Sequence, residues 1–349
     1  MSDGRATAED IRYAYRLLLG REPDEGGFQE FKKLVDDQAL TPLDLAVRVM
    51  DSLEFASKHP SFSRGVSGSG LPELVATRQI CRACTQAQLE SPEFQTWARR
   101  LGERPGHLHR KIWEWCFIIQ VLQERGMLRS GRKGLGFAVG TEPLASLFAS
   151  FGCEILASDI GEDLAQQAGW VDTNQHASGL SQLNLRGLCE GEQFDRQVKF
   201  REVDMRQIPE QLGDFDFLWS SCALEHLGSL DRGIEFVENA MRCLRPGGIA
   251  VHTTEINCDS DEETLETGHS VIYRRHDLTR LARELQRNGH DVEPLDFSLG
   301  VGPADRVVDE PPYTGETHLK LRIGKFASTS FGLIVRAGGP TSSSQTDEQ

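Results

Sequence analysis

The chain has 349 residues, enough for one large domain and a smaller one. Its 53 acidic against 38 basic side chains leave a formal net charge of -15, which argues against binding nucleic acid by charge alone and suits solubility. No run approaches the ~20 apolar residues of a bilayer span, and MSDGRATAED has neither the basic start nor the apolar core of a secretory signal, so a cytoplasmic location without a membrane span is expected.

The first elements read as helices. Ile11, Tyr15, Leu18 and Leu19 recur at helical spacing, and Gly20 stops that helix. Arg21 to Gly27 is a polar turn; Phe28, Phe31, Leu34 and Val35 then make a second apolar stripe. Thr41-Pro42 opens a third helix, with Thr as cap and Pro at the first position. The run Ala14 to Phe28, centred on Leu-Gly-Arg-Glu-Pro-Asp, resembles a short helical domain of unknown function that recurs beside bacterial glycan-processing enzymes. The resemblance implies at most docking to a protein partner through residues 1–62; a small helical appendage is the alternative. Residues 63–72, rich in Ser and Gly, read as a linker.

Residues 73–130 read as a helical lead-in. Cys81-Arg-Ala-Cys84 supplies two thiols where a structural zinc needs four ligands, so reduced thiols are expected. Ile112, Trp115, Ile119 and Leu122 form a core stripe in a segment dense in aromatic and basic residues. From Gly131 onward strand and helix patterns alternate, which predicts a mostly parallel sheet. The first strand is about Gly134 to Ala138, followed by Val139-Gly140-Thr141-Glu142-Pro143 and a helix. The second ends at Asp159. Val203-Asp204-Met205 follows the third, and Phe215 to Ser220 is the fourth. Leu244-Arg-Pro-Gly-Gly then turns into the fifth, Ile249 to Thr254. Asp291 to Phe297 and Ser330 to Arg336 are the last two strands, and Pro340 to Gln349 reads as a disordered tail.

The order and spacing of these segments resemble the class I S-adenosylmethionine-dependent methyltransferases, in the variant found among bacterial polysaccharide-cluster enzymes. The resemblance implies an α/β, Rossmann-like sandwich over 131–337: a mostly parallel seven-stranded sheet with helices on both faces, preceded by a small all-α domain. The family's loop is an acid followed by three glycines at alternate positions. Gly136, Ala138, Gly140 and Glu142 occupy those four positions, so the acid is absent and two glycines are replaced. The implied cofactor is S-adenosyl-L-methionine. It would be held by Gly136, Ala138, Gly140 and Glu142, by Asp159 at the ribose, by Asp204 and Met205 at the adenine, and by Ser220 at the end of strand four. Lys111 and Trp113 are candidates to cover it. A carboxylate such as Asp159 serves NAD sites equally well, but no Gly-x-Gly-x-x-Gly loop with a Tyr-x-x-x-Lys pair accompanies it.

Glu225-His226 follows strand four, where a transferred methyl group projects. His226 is the candidate base, because imidazole titrates near neutrality. Glu255, at the end of strand five, faces a substrate or a metal; no paired-carboxylate motif calls for a metal. Residues 256–275 break the strand-helix rhythm and read as a lid carrying Tyr273, Arg274 and Arg275 toward a small-molecule or glycan acceptor. His318 is expected in the opposite wall. These readings point to O-methylation of a sugar, glycan or nucleotide-sugar. A Rossmann-type NAD-dependent sugar oxidoreductase and a non-catalytic scaffold with this fold are the alternatives.

Overall fold

The computed structural model describes residues 5–38, 40–50, 54, 78–167, 169–170 and 176–339. The chain divides into two compact units, 1–76 and 77–349. In the first, the described residues form helices Ala8–Ala14, continued by a wider turn Tyr15–Leu19, Glu25–Gln38 and Pro42–Met50. Thr7 caps the first helix in a reciprocal capping box with Asp10, and Gly20 ends it in the left-handed conformation. Ile11, Tyr15, Leu19, Val35, Leu45 and Val49 bury into a small core of their own. The Ser/Gly-rich stretch at 63–72 and the tail from 340 lie outside the described residues.

The second unit is one mixed sheet with helices on both faces. Its strands are β1 (Cys81–Ala83), β2 (Leu108–His109), β3 (Lys133–Phe137), β4 (Glu154–Asp159), β5 (Val198–Glu202), β6 (Phe215–Ser221), β7 (Leu244–Asn257), β8 (Asp291–Val292), β9 (Leu295–Asp296), β10 (Val308–Asp309), β11 (Thr317–His318), β12 (Lys320–Ile323) and β13 (Phe326–Arg336). The order β13-β7-β6-β3-β4-β5 forms the body of the sheet, parallel apart from β13. The strand order reverses between β3 and β6, whose carboxyl ends flank the crevice where ligands bind in such sheets.

Seven strands were expected; among the described residues the sheet has eleven. The outer edge of β13 is shared by three short pieces, β8, β1 and β12, with β9 and β10 added beyond them. Proline explains the break after β8. Glu293 still donates its N–H to Ile334 O at 3.2 Å, but Pro294 has no N–H and the ladder stops. The 73–130 segment therefore contributes strand β1 to the sheet as well as helices. β2 and β11 pair separately, setting His109 beside His318.

Leu244-Arg-Pro-Gly-Gly is an irregular strand start and not a tight turn. Phe215 faces Leu244 and Phe217 faces Ile249, so the four residues Arg245 to Gly248 stand opposite Asp216 alone and bulge out, with Gly247 at φ +79°. Alternation along β7 sorts the two faces. Phe236, on helix Leu230–Ala240, packs its ring edge-on against His252. Glu255, on the opposite face, meets Arg110 on helix Arg110–Glu124. That helix lies between β13 and β7 on one side and helix Pro92–Arg100 on the other. Every residue from Ile112 to Leu122 is buried. Its expected stripe is thus one part of a helix buried all round.

Candidate active site

A cavity of about 750 Å³ opens at the carboxyl ends of β3, β4, β5 and β6, within the size range of small-ligand sites. The loop after β3 enters it through Ala138 and Gly140, both left-handed at φ +46° and +51°. Glycine adopts such angles freely and alanine does not. Asp159 ties the loop down: its Oδ2 accepts the N–H of Gly140 at 2.9 Å and of Ala177 at 3.2 Å, and its Oδ1 accepts that of Ile160 at 2.8 Å. Burial raises the Asp159 pKa, against the pull of these three donors. Met205 and Asp204 also line the cavity. Burial pushes the Asp204 carboxyl up, but Arg206, donating to both oxygens, outweighs it and the net shift is downward.

The wall opposite is the start of helix Arg110–Glu124, carrying a charge cluster that sequence reasoning missed apart from Lys111. Arg110 donates to Glu114 at 2.9 Å, Cys222 Sγ at 3.0 Å, Ser330 Oγ at 3.2 Å and Glu255 at 2.7 Å. Lys111 bridges Glu114 and Glu142, each at 3.1 Å. Glu114 also accepts from Ser221 at 3.1 Å and Ser330 at 2.5 Å. Burial alone would raise the Glu114 pKa, but Lys111, Arg110 and the Ser330 hydroxyl hold it at about 2. For Glu142 burial wins over Lys111 and the net shift is upward. Cys222, Glu225 and Glu255 bring their ligand-type atoms within 4.8 Å of one another. The Arg110 guanidinium, bonded to Cys222 and Glu255, is the cation of that cluster.

Three histidines line the cavity, and each has a proton position fixed by its partner. His226 Nδ1 lies 2.9 Å from His269 O. A carbonyl only accepts, so Nδ1 carries the proton and Nε2 keeps its lone pair. His176 Nε2 lies 2.7 Å from Ile160 O, which leaves Nδ1 as the acceptor. His109 is the reverse: its Nδ1 accepts from Lys111 N at 3.1 Å, so the proton sits on Nε2. Burial, then His318, Arg110 and His107, lower the His109 pKa to about 3, so this ring stays a neutral donor. Trp170 lines the cavity beside His226, with ring centroids 4.6 Å apart, and stacks on His269 at 5.0 Å.

Of the residues singled out from sequence, Lys111, Ala138, Gly140, Glu142, Asp159, Asp204, Met205 and His226 line the cavity. The others stand elsewhere, for identifiable reasons. Gly136 is covered: a Cβ there would meet Trp219 and Val139 at 2.5 Å. Ser220 is fully buried and bonds His252 Nδ1 at 2.8 Å; its neighbour Ser221 faces the cavity. Glu255 is buried behind Arg110. The 256–275 segment is stitched back onto β7, with Tyr273 N donating to Glu255 O at 2.9 Å and Asn257 N to Tyr273 O at 2.8 Å. Tyr273 is fully buried, its hydroxyl on Leu230 O at 3.3 Å. Arg274 pairs with Asp277 and Glu266 at the start of helix Arg275–Arg287, and Arg275 borders a separate shallow depression. His318 donates Nδ1–H to Asp309 at 2.6 Å and stacks on His109 at 4.7 Å, one layer behind the wall. Trp113 is a core residue whose indole donates to Gln88 at 2.6 Å. Trp115, read as core, lines the cavity under Arg186.

Residues 135–252 match the family described as Methyltransferase domain. A malonyl-[acyl-carrier protein] O-methyltransferase of Enterobacter lignolyticus is 28% identical over 115 residues, 33% of this chain and 44% of that protein. The chain thus spans less than half the length of this curated relative. Among solved structures, it is similar to an S-adenosylmethionine-dependent methyltransferase from Aquifex aeolicus, with TM-score 0.33, 16% identity, and 63% of this chain and 88% of that one covered. Another, from Clostridium acetobutylicum, has TM-score 0.36 and 14% identity, with 65% and 92% covered.

Proposed function

We propose that this chain, which carries a class I S-adenosylmethionine-dependent methyltransferase domain at residues 135–252, methylates a hydroxyl oxygen of a sugar, glycan or nucleotide-sugar. The cofactor is S-adenosylmethionine, and the cavity residues suit it. Asp159 offers a carboxylate at the β4 end, Met205 an apolar contact, and Ala138 and Gly140 a close backbone approach. When bound, the cofactor supplies a methyl group on a sulfonium. The chain's own work is to align an acceptor oxygen with it and to take the proton that oxygen gives up. Alignment is worth ~7–11 kcal/mol in favourable cases.

The observation that carries the reading is the tautomer of His226. Its Nδ1–H is spent on His269 O, which leaves Nε2 basic in a cavity-lining ring just past β6. A hydroxyl donated to Nε2 is activated and loses its proton there. The acceptor class rests on the resemblance to polysaccharide-cluster enzymes and is supported by Trp170 beside His226. Aromatic faces take the C–H faces of sugar rings while the hydroxyls reach polar neighbours. Docking of a partner through the N-terminal helices belongs to the same proposal.

The test is incubation with methyl-labelled S-adenosylmethionine and a panel of sugars, nucleotide-sugars and glycans, with the label located by mass spectrometry. Label on a hydroxyl oxygen is expected. Label on a carboxylate instead would replace the acceptor class, because a carboxylate needs no base.

A further inference from the structure

Asp159 stands where an adenosyl ribose would present its two vicinal hydroxyls, but most of its capacity is already taken. A carboxylate has about four acceptor positions, and Gly140, Ala177 and Ile160 N–H groups fill three. The residue is only 5% exposed. One position remains for a diol that offers two donors. Next to it, the chain returns at His176-Ala177: Ala177 donates to Asp159, and the His176 ring lines the same cavity. His176 is held by its Nε2–H on Ile160 O at 2.7 Å, Ile160 being the residue whose own N–H is on Asp159. The ring is therefore oriented by the strand end that carries the carboxylate, with its Nδ1 lone pair unspent.

We propose that Asp159 and His176 divide the ribose between them, one hydroxyl donating to the remaining carboxylate position and the other to His176 Nδ1. His176 is thus a binding and specificity residue for the cofactor's sugar. This rests on the methyltransferase reading, which it extends to a residue that the family's loop pattern does not mark. An acid shared in this way serves two ends: it pins the loop after β3 and still binds ligand, because the histidine supplies the acceptor that the loop consumed.

The two ring nitrogens can be separated by substitution. His176→Gln sets an amide near the Nε2 position, able to keep the Ile160 contact, and drops the Nδ1 acceptor. His176→Asn places its amide oxygen near Nδ1 and gives up the Ile160 contact. Each is titrated calorimetrically with S-adenosylhomocysteine and with its 2′-deoxy and 3′-deoxy analogues. Losing one hydrogen bond corresponds to about a tenfold change in Kd. The expected result is that His176→Gln binds the parent ligand about tenfold more weakly than wild type, while His176→Asn stays within about threefold. For one of the two deoxy analogues, wild type and His176→Gln should bind alike. Wild-type affinity in His176→Gln, or an equal loss with all three ligands, overturns the shared-ribose assignment. Failure of the wild-type chain to bind S-adenosylhomocysteine overturns the methyltransferase reading itself, and that result is distinguishable because it precedes any substitution.

Discussion

Replacing Arg110 with Met tests whether the charge cluster behind the cavity holds the fold as its geometry implies. The Arg110 side chain is 12% exposed and its guanidinium serves Glu114, Glu255, Cys222 and Ser330. Methionine keeps much of the volume but removes the cation. Glu114 would then keep only Lys111, which it shares with Glu142, and the buried Glu255 would lose its Arg110 partner. Removing one partner of a buried pair costs about 3–5 kcal/mol, because the other charge stays in low dielectric. Urea unfolding followed by tryptophan fluorescence reads this directly, since all five tryptophans lie in the 77–349 unit. The pH dependence fixes the sign. In the wild type Glu114 is held at about 2, below its ordinary 4.5, so its contribution is present above about pH 4.5 and is lost as pH falls through 2. In the variant the orphaned carboxylates titrate higher. The deficit is therefore largest at neutral pH and shrinks on acidification. Adding Glu255→Leu should recover a good part of it, because an apolar replacement of both partners is often neutral. A loss under 1 kcal/mol, or a deficit that grows toward low pH, would refute the reasoning.

His226→Ala should lower single-turnover methyl transfer by about 10²–10⁴-fold while leaving the calorimetric affinity for S-adenosylmethionine unchanged; unaltered turnover removes it as base. Ala138→Gly should stabilise the unit by up to about 1 kcal/mol in urea, since glycine adopts φ +46° without the Cβ penalty; destabilisation would show that the methyl packs. Gly136→Ala should cost about 1–3 kcal/mol, because its Cβ would meet Trp219 and Val139 at 2.5 Å. The His109 ring should show no titration by NMR between pH 5 and 8, as its pKa lies near 3; a midpoint in that range would contradict the buried, stacked geometry.

The body of the sheet was legible because its central parallel strands, buried on both faces, read as short apolar runs. Asp159 ends β4 at the crevice, and Asp204 stands two residues past the end of β5. The sheet's outer edge was legible only in part: Asp291 to Phe297 reads as one strand and is β8 and β9, whereas β1 and β12, three and four residues long, carry no period of their own. Apart from Lys111 the charge cluster was missed, because Arg110 and Glu114 lie off the apolar stripe of Ile112, Trp115, Ile119 and Leu122, and charges off such a stripe are ordinarily solvated. The available signal was that only three charges stand among the aromatic and aliphatic residues of 110–122. Tyr273 to Arg275 misled in the opposite sense, since a polar run looks exposed until its backbone is found hydrogen-bonded to β7. Trp170, His176 and Arg186 lie in a stretch without periodicity, and only the fold brings them to the cavity.

The most direct measurement is calorimetric titration of the whole chain and its Asp159→Ala variant with S-adenosylmethionine. Saturable one-to-one binding by the wild type, lost in the variant, is the predicted result. No heat from the wild type at high micromolar ligand, or equal binding by both proteins, would contradict a cofactor seated at the β3 and β4 ends.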